Sequence, residues 1–178
     1  VPFADAAQND GIKVYHLNVG APDIKSLECA LEAVRKNTLD HVSYTNSAGL
    51  PELRKGLVEK YYRSIGIDVS VPEIIVTVAG SEAVNLALQI ACDDGDELIV
   101  IEPFYTNYNT FCFERGIILK AVHTDIESGF KVPPIEEFEK LVTPRTKAIL
   151  ISNPGNPTGT LYSKEDMLAL GEVARKHN

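Results

Sequence analysis

The chain is short of positive charge. Its 17 lysines and arginines stand against 25 aspartates and glutamates, for a formal net charge of -8 over 178 residues. A surface that is acidic on balance argues against nucleic acid and anionic membranes as bulk partners, and the excess serves solubility. Cysteine is scarce as well. Cys29, Cys92 and Cys112 are widely spaced, so there is no CxxC pair for a metal or for redox chemistry, and no metal site is expected. Each falls in an apolar helical pattern, which predicts buried free thiols and a reducing, cytoplasmic setting. No run of eighteen apolar residues indicates a membrane-spanning helix. No basic stretch followed by an apolar core opens the chain, so no secretory leader is visible. Neither the GxGxxG of dinucleotide-binding folds nor the GxxxxGK[ST] of P-loops occurs, and there are no internal repeats or low-complexity tracts.

Beyond these absences the composition is ordinary. Apolar residues make up 44% and charged residues 24%, in a length that suits one domain with a substantial core. Segment 13–19 reads as extended and ends at Gly20. A helix over 26–37, with Ser26 as N-cap, sets Leu27, Ala30, Leu31 and Val34 on one face. The loop from Ser43 to Leu50 leads to Pro51, which suits a first helical turn because an N–H there would go unpaired. That helix runs from Glu52 to about Ser64, and Gly66 stops it. Strands are expected over 74–78, 97–101, 117–123 and 147–152. Helices are expected over 82–92, 105–115 and 135–142, the first burying Val84, Leu86, Ala87, Leu88 and Ile90. Ser163 caps a final amphipathic helix that runs to the end of the chain. Strands alternating with helices predict an α/β fold whose sheet is mostly parallel. A chain that ends on such a helix leaves its sheet short of a neighbour and reads as the first part of a longer protein.

Three loops follow predicted strands, at the edge where open α/β sheets bind ligands. In Val78-Ala79-Gly80-Ser81-Glu82-Ala83, glycine permits close approach of backbone, and a helix start offers free N–H groups to a phosphate. A capped helix start after a tight turn would look similar, and the Glu82 carboxylate must turn away from any anion. In Glu102-Pro103-Phe104-Tyr105-Thr106-Asn107-Tyr108, an aromatic ring could stack on a planar ligand, although core packing is the usual role of each ring. In Asn153-Pro154-Gly155-Asn156-Pro157-Thr158-Gly159, two Asn-Pro pairs flank a glycine. A plain turn would not need both pairs followed by Thr-Gly, and Asn156 can both donate and accept.

These motifs, with Asn18-Val19-Gly20-Ala21-Pro22-Asp23 and the stretch from Tyr44 to Arg54, fall in one order and spacing. Together they resemble the class I/II aminotransferases of pyridoxal-phosphate (PLP) fold type I, with an aspartate-aminotransferase-like flavour. The resemblance implies that residues 1–25 are an N-terminal small-domain segment. It implies that 26–178 are the first part of the PLP-binding large domain, a mostly parallel sheet between helices. Gly20 resembles the glycine whose backbone faces the substrate carboxylate. Tyr44 resembles the tyrosine that reaches across a homodimer to the partner's PLP phosphate. Gly80, Ser81 and Glu82 resemble the loop that cradles that phosphate. Tyr105 resembles the aromatic stacked on the pyridine ring, and Asn156 the asparagine bonded to its phenolic oxygen. The resemblance also implies cis peptides at Asn156–Pro157 and Glu102–Pro103.

The implied activity is transfer of an amino group between an amino acid and a 2-oxo acid. The same loops occur in PLP-dependent carbon–sulfur lyases and in the PLP-sensing domains of transcriptional regulators, which stand as alternatives. A nucleotide-binding α/β module is disfavoured by the missing fingerprints. The family's ring-nitrogen aspartate, Schiff-base lysine and carboxylate-binding arginine have no match in the 178 residues; Lys164 follows the Asn-Pro-Thr-Gly loop too closely and reads as solvated. The chain by itself is therefore expected to be inactive and to hold PLP weakly or not at all. Borohydride reduction of a mixture with PLP should label no single lysine stoichiometrically. Stoichiometric labelling with amino-acid turnover would show the catalytic centre to lie within these residues.

Overall fold

A computed structural model describes residues 2–16, 20 and 22–178. They fall into two compact units, Val1–Thr45 and Asn46–Asn178. The first carries α1 (Pro2–Asn9) and α2 (Glu28–Arg35), neither of which buries a residue. Helices of this length are marginal on propensity alone. Ion pairs Glu28–Arg35 and Glu32–Lys36 lie along α2 but are exposed and add little. Two expectations fail here. Leu27, not Ser26, caps α2, because its carbonyl accepts the first helical N–H groups, from Ala30 and Leu31. Cys29 is exposed, while Cys92 and Cys112 are buried free thiols as expected.

The second unit is built on three parallel strands, β1 (Glu97–Glu102), β2 (Ile118–His123) and β3 (Thr146–Leu150), in the order β2-β1-β3. Alternation of side chains sends Leu98 and Val100 to one face of β1 and Ile99 and Ile101 to the other. On the first face they meet Leu88 of α4 (Gly80–Ala91) and Tyr108, Phe111 and Cys112 of α5 (Asn107–Phe113). On the second they meet Phe138 of α6 (Ile135–Glu139) and Leu170 of α7 (Lys164–His177). The sheet is therefore the middle of three layers, which is why β1 reads as an unbroken apolar run. In α7, Ser163 is the N-cap: its hydroxyl accepts the Asp166 N–H at 3.0 Å, and the Asp166 carboxylate reaches back.

Glu97, at the start of β1, is fully buried. The Thr143 hydroxyl donates to it at 2.7 Å and the Arg145 guanidinium at 2.9 Å, and the Lys120 ammonium lies at 3.6 Å. Next to this cluster the β1–β3 register slips, Glu97 pairing with Thr146 but Leu98 with Ala148, so Lys147 is the extra residue of a bulge. The Thr143 hydrogen bond leads the effects that hold the Glu97 carboxyl below its ordinary range, against the opposing effect of burial.

Two further sequence expectations are corrected. Segment 74–78 is not a strand: Ile74 is buried, Ile75 and Val78 are exposed, and the segment joins no ladder among the described residues. Its β-branched composition suits extended backbone, but a strand also needs a ladder partner, and the Val76 N–H instead bonds the Ala48 carbonyl of a turn at 2.9 Å. In α4, Leu86, Ala87 and Ile90 are exposed, because the buried face repeats through Val84, Leu88 and Cys92 at helical spacing. The helix expected over 52–64 starts at Pro51, as α3 (Pro51–Gly56). It continues as a wider turn over Leu57–Tyr62 and a tighter one over Arg63–Ile65, ending at Gly66 with φ 74°.

Phe138→Ala should cost about 3–5 kcal/mol in urea unfolding, whereas exposed Phe113→Ala should change stability by no more than about 0.5 kcal/mol. A depressed folded-state value means that Glu97 stabilises above the ordinary carboxylate range and loses that contribution as pH falls through its folded value. Glu97→Gln should therefore be less stable near neutrality and lose less on acidification, as read by unfolding midpoints from about pH 7 to about pH 3.

Candidate functional site

The C-terminal ends of β1 and β3 and the start of α4 carry the three loops singled out by sequence. At α4 the N-cap is Ala79, whose side chain offers no acceptor. The N–H groups of Glu82 and Ala83 turn back to the Ala79 carbonyl at 3.1 and 3.3 Å, and those of Gly80 and Ser81 have no partner among the described residues. The Glu82 carboxylate accepts the Val78 N–H, and the Thr77 hydroxyl donates to the Ala79 carbonyl. Glu82 is thus engaged with the incoming backbone, and two exposed N–H groups and the Ser81 hydroxyl remain at the positive end of a 12-residue helix.

After β1, the Glu102 carbonyl accepts from both the backbone and the hydroxyl of Thr124, at 3.0 and 2.6 Å, which ties the loop to the residue that follows β2. Tyr108 is buried, stacked with Phe104 at 6.2 Å between centroids and edge-on to Tyr105 at 5.6 Å. Core packing is thus the role of Tyr108. Tyr105 is half-buried against the same cluster as Val84, one turn into α4 from Gly80 and Ser81. Its hydroxyl accepts from the Asn107 amide at 2.7 Å.

After β3, Asn153 closes its loop on Tyr162. Its side-chain oxygen accepts the Tyr162 N–H at 3.1 Å, and its amide lies 3.4 Å from the Tyr162 carbonyl. Gly155 donates to the Thr160 carbonyl and accepts from Gly159, each at 2.8 Å. Asn156 is exposed and lines a small crevice with Phe104, Tyr108, Gly155 and Tyr162. Peptides Glu102–Pro103 and Asn156–Pro157 are cis, as the resemblance implies, and so is Asn153–Pro154. The fold therefore brings the Tyr105 loop against both α4 and the Asn156 loop. A larger groove of about 520 Å³ lies elsewhere, by Thr143–Lys147 and the end of α7.

The sequence profile of aminotransferase class I and II matches residues 12–178. The chain belongs to that family. Among curated relatives, the aspartate/prephenate aminotransferase of Thermus thermophilus is 38% identical over 172 residues, covering 96% of this chain and 44% of the relative. The aspartate aminotransferase of Geobacillus stearothermophilus is 36% identical, covering 94% and 42%. Among solved structures, a double mutant of Thermus thermophilus aspartate aminotransferase superposes with a TM-score of 0.90 at 38% identity, covering 99% of this chain and 46% of that one. An alanine aminotransferase from Pyrococcus furiosus gives 0.86 at 35%, covering 98% and 45%. The class I and II aminotransferase chain thus spans a little under half the length of the relatives it matches, and its α/β fold is that of the aspartate aminotransferases.

Gly20 and Tyr44 belong to the other unit. Both are exposed, and Leu17, Asn18, Val19 and Ala21 around Gly20 lie outside the described residues. Sequence reasoning did not single out Asn153 or Thr158. Their signal was the ability of one short polar side chain to bond backbone on both sides of a turn. Thr158 does so in part, accepting the Thr160 N–H at 3.3 Å. Asn153→Ala should cost about 0.5–1.5 kcal/mol and speed hydrogen exchange at the Tyr162 amide. An unchanged exchange rate would mean that this contact does not hold the loop.

Proposed function

We propose that the whole protein carrying this chain is a PLP-dependent aminotransferase. It moves an amino group between an amino acid, aspartate the first candidate, and a 2-oxo acid. The carrying observation is the gathering, within one unit, of N–H groups at α4 that have no partner among the described residues, a half-buried tyrosine and an exposed asparagine amide. This donor set fits the cofactor. Gly80 and Ser81 would take the phosphate through backbone N–H groups and the Ser81 hydroxyl, and a Cβ built at Gly80 meets nothing within 4 Å. Glu82 is part of the same turn and serves by holding Val78 rather than by touching an anion. Tyr105 would lie on the ring face and Asn156 would bond its phenolic oxygen. When bound, the cofactor supplies the electron-accepting ring on which amino-group transfer depends.

The chain's own residues would hold and orient the cofactor. Tyr105 is kept in place by Tyr108 behind it and Asn107 at its hydroxyl. Gly20 would face the substrate carboxylate with its backbone. Tyr44 would serve the phosphate of a second subunit, making the enzyme a homodimer, and residues 1–25 would belong to the small domain. Buried free thiols Cys92 and Cys112 suit the cytoplasm. The relatives named above are aminotransferases rather than lyases or regulators, which supports transfer as the reaction.

Ser81→Ala in the whole protein should weaken PLP about tenfold or more, the worth of one charge-assisted hydrogen bond. Asn156→Ala should shift the absorption band of bound cofactor. Unchanged affinity in the first and an unchanged band in the second, measured by titration and visible spectroscopy, would overturn the assignment.

A further inference from the structure

We infer that Gly49 is a positioning residue for the phosphate-binding turn at the start of α4, acting through Val76. The inference rests on the reading that Gly80 and Ser81 hold the phosphate. Segment 74–78 leads into that turn, yet it joins no sheet ladder among the described residues. It is held from the side. The Val76 N–H donates to the Ala48 carbonyl at 2.9 Å. The Arg54 guanidinium donates to the Val71 carbonyl at 2.7 Å, anchoring the turn just before the segment. Ala48 and Gly49 are themselves fixed by Asn46, whose side-chain oxygen accepts the Ala48 N–H at 2.9 Å and whose carbonyl accepts the Gly49 N–H at 2.8 Å.

Gly49, next to the Val76–Ala48 hydrogen bond, lies against the Val76 side chain. Its φ of 97° lies where side chains are disfavoured, and a Cβ there would sit 2.6 Å from the Val76 Cβ and 2.7 Å from its Cγ2. A Val76 Cβ cannot rotate away, so any side chain at 49 must displace the backbone of one segment. From Val76 the chain is tied onward to the turn by short links: the Thr77 hydroxyl to the Ala79 carbonyl, and the Val78 N–H to Glu82. A push at Val76 is thus delivered to the N–H groups of Gly80 and Ser81. The loops of Tyr105 and Asn156 are built on β1 and β3 and have their own supports.

This separation makes the role measurable. Pyridoxal and PLP share ring and aldehyde and differ in the phosphate, so the ratio of their affinities in the whole protein reports how the phosphate is held, separately from the ring. Gly49→Ala should lower the preference for PLP over pyridoxal about tenfold. The double variant Gly49→Ala/Val76→Gly should recover most of that preference, although the strained φ keeps its unfolding midpoint low. If Gly49→Ala does not fold, Arg54→Gln releases the Val71 carbonyl without adding atoms and should move the ratio in the same direction. A ratio unchanged in Gly49→Ala, or in Arg54→Gln in its place, would overturn the inference. So would equal loss of both ligands, or no recovery in the double variant. Ser81→Ala is the reference: if it too leaves the ratio unchanged, the phosphate lies elsewhere, and the inference falls with that reading.

Discussion

Burial of β1 on both faces is the constraint from which the second unit follows. Leu98, Ile99 and Val100 are essentially inaccessible to water, and burying each such side chain is worth roughly 1.5–3 kcal/mol. A strand covered on both faces cannot lie at a surface. Helices must pack above and below it, and its two edges must be paired. α4 and α5 cover one face, α6 and α7 the other, and β2 and β3 take the edges. Glu97 fixes where the strand begins. Its carboxylate gathers Thr143, Arg145 and Lys120 from the residues around β2 and β3. A polar group in that position is tolerable because each oxygen is bonded.

The candidate site is a consequence of the same arrangement. Parallel strands finish at one edge, so the loops after β1 and β3 emerge side by side, and α4 brings its N-terminal end to the cluster that supports Tyr105. Ordinary turn chemistry makes this edge rigid. Thr124 holds the Glu102 carbonyl, Asn153 brackets Tyr162, and Glu82 and Thr77 hold the entry to α4. The groups at the start of α4 left without partners among the described residues are N–H donors, which is the composition that an anion requires.

Much of this was legible in the sequence because it rests on local patterns. Val100 and its neighbours form a run that only a doubly covered strand explains, and the Asn153–Gly159 stretch has a composition that a plain turn does not need. What escaped was decided by partners distant in the chain. Residues 74–78 have the composition of a strand, but pairing is a property of two segments, and 74–78 join no ladder among the described residues. Leu86 and Ile90 were assigned inward from hydrophobicity, whereas the phase of α4 is set by Leu88 and Cys92 against β1. Ser26 is a good capping residue one position too early, because Leu27 supplies the carbonyl that starts α2. Gly49 gave no local hint, since its requirement comes from Val76, 27 positions away.

In the proposed reading, the start of α4 and the loops after β1 and β3 form one cofactor site. Its most direct test is a crystal structure of the whole protein grown with PLP. The phosphate is expected within about 2.7–3.2 Å of the Gly80 and Ser81 N–H groups, with the ring against Tyr105 and the Asn156 amide at the phenolic oxygen. A phosphate seated away from α4, with Tyr105 and Asn156 both clear of the ring, would contradict it.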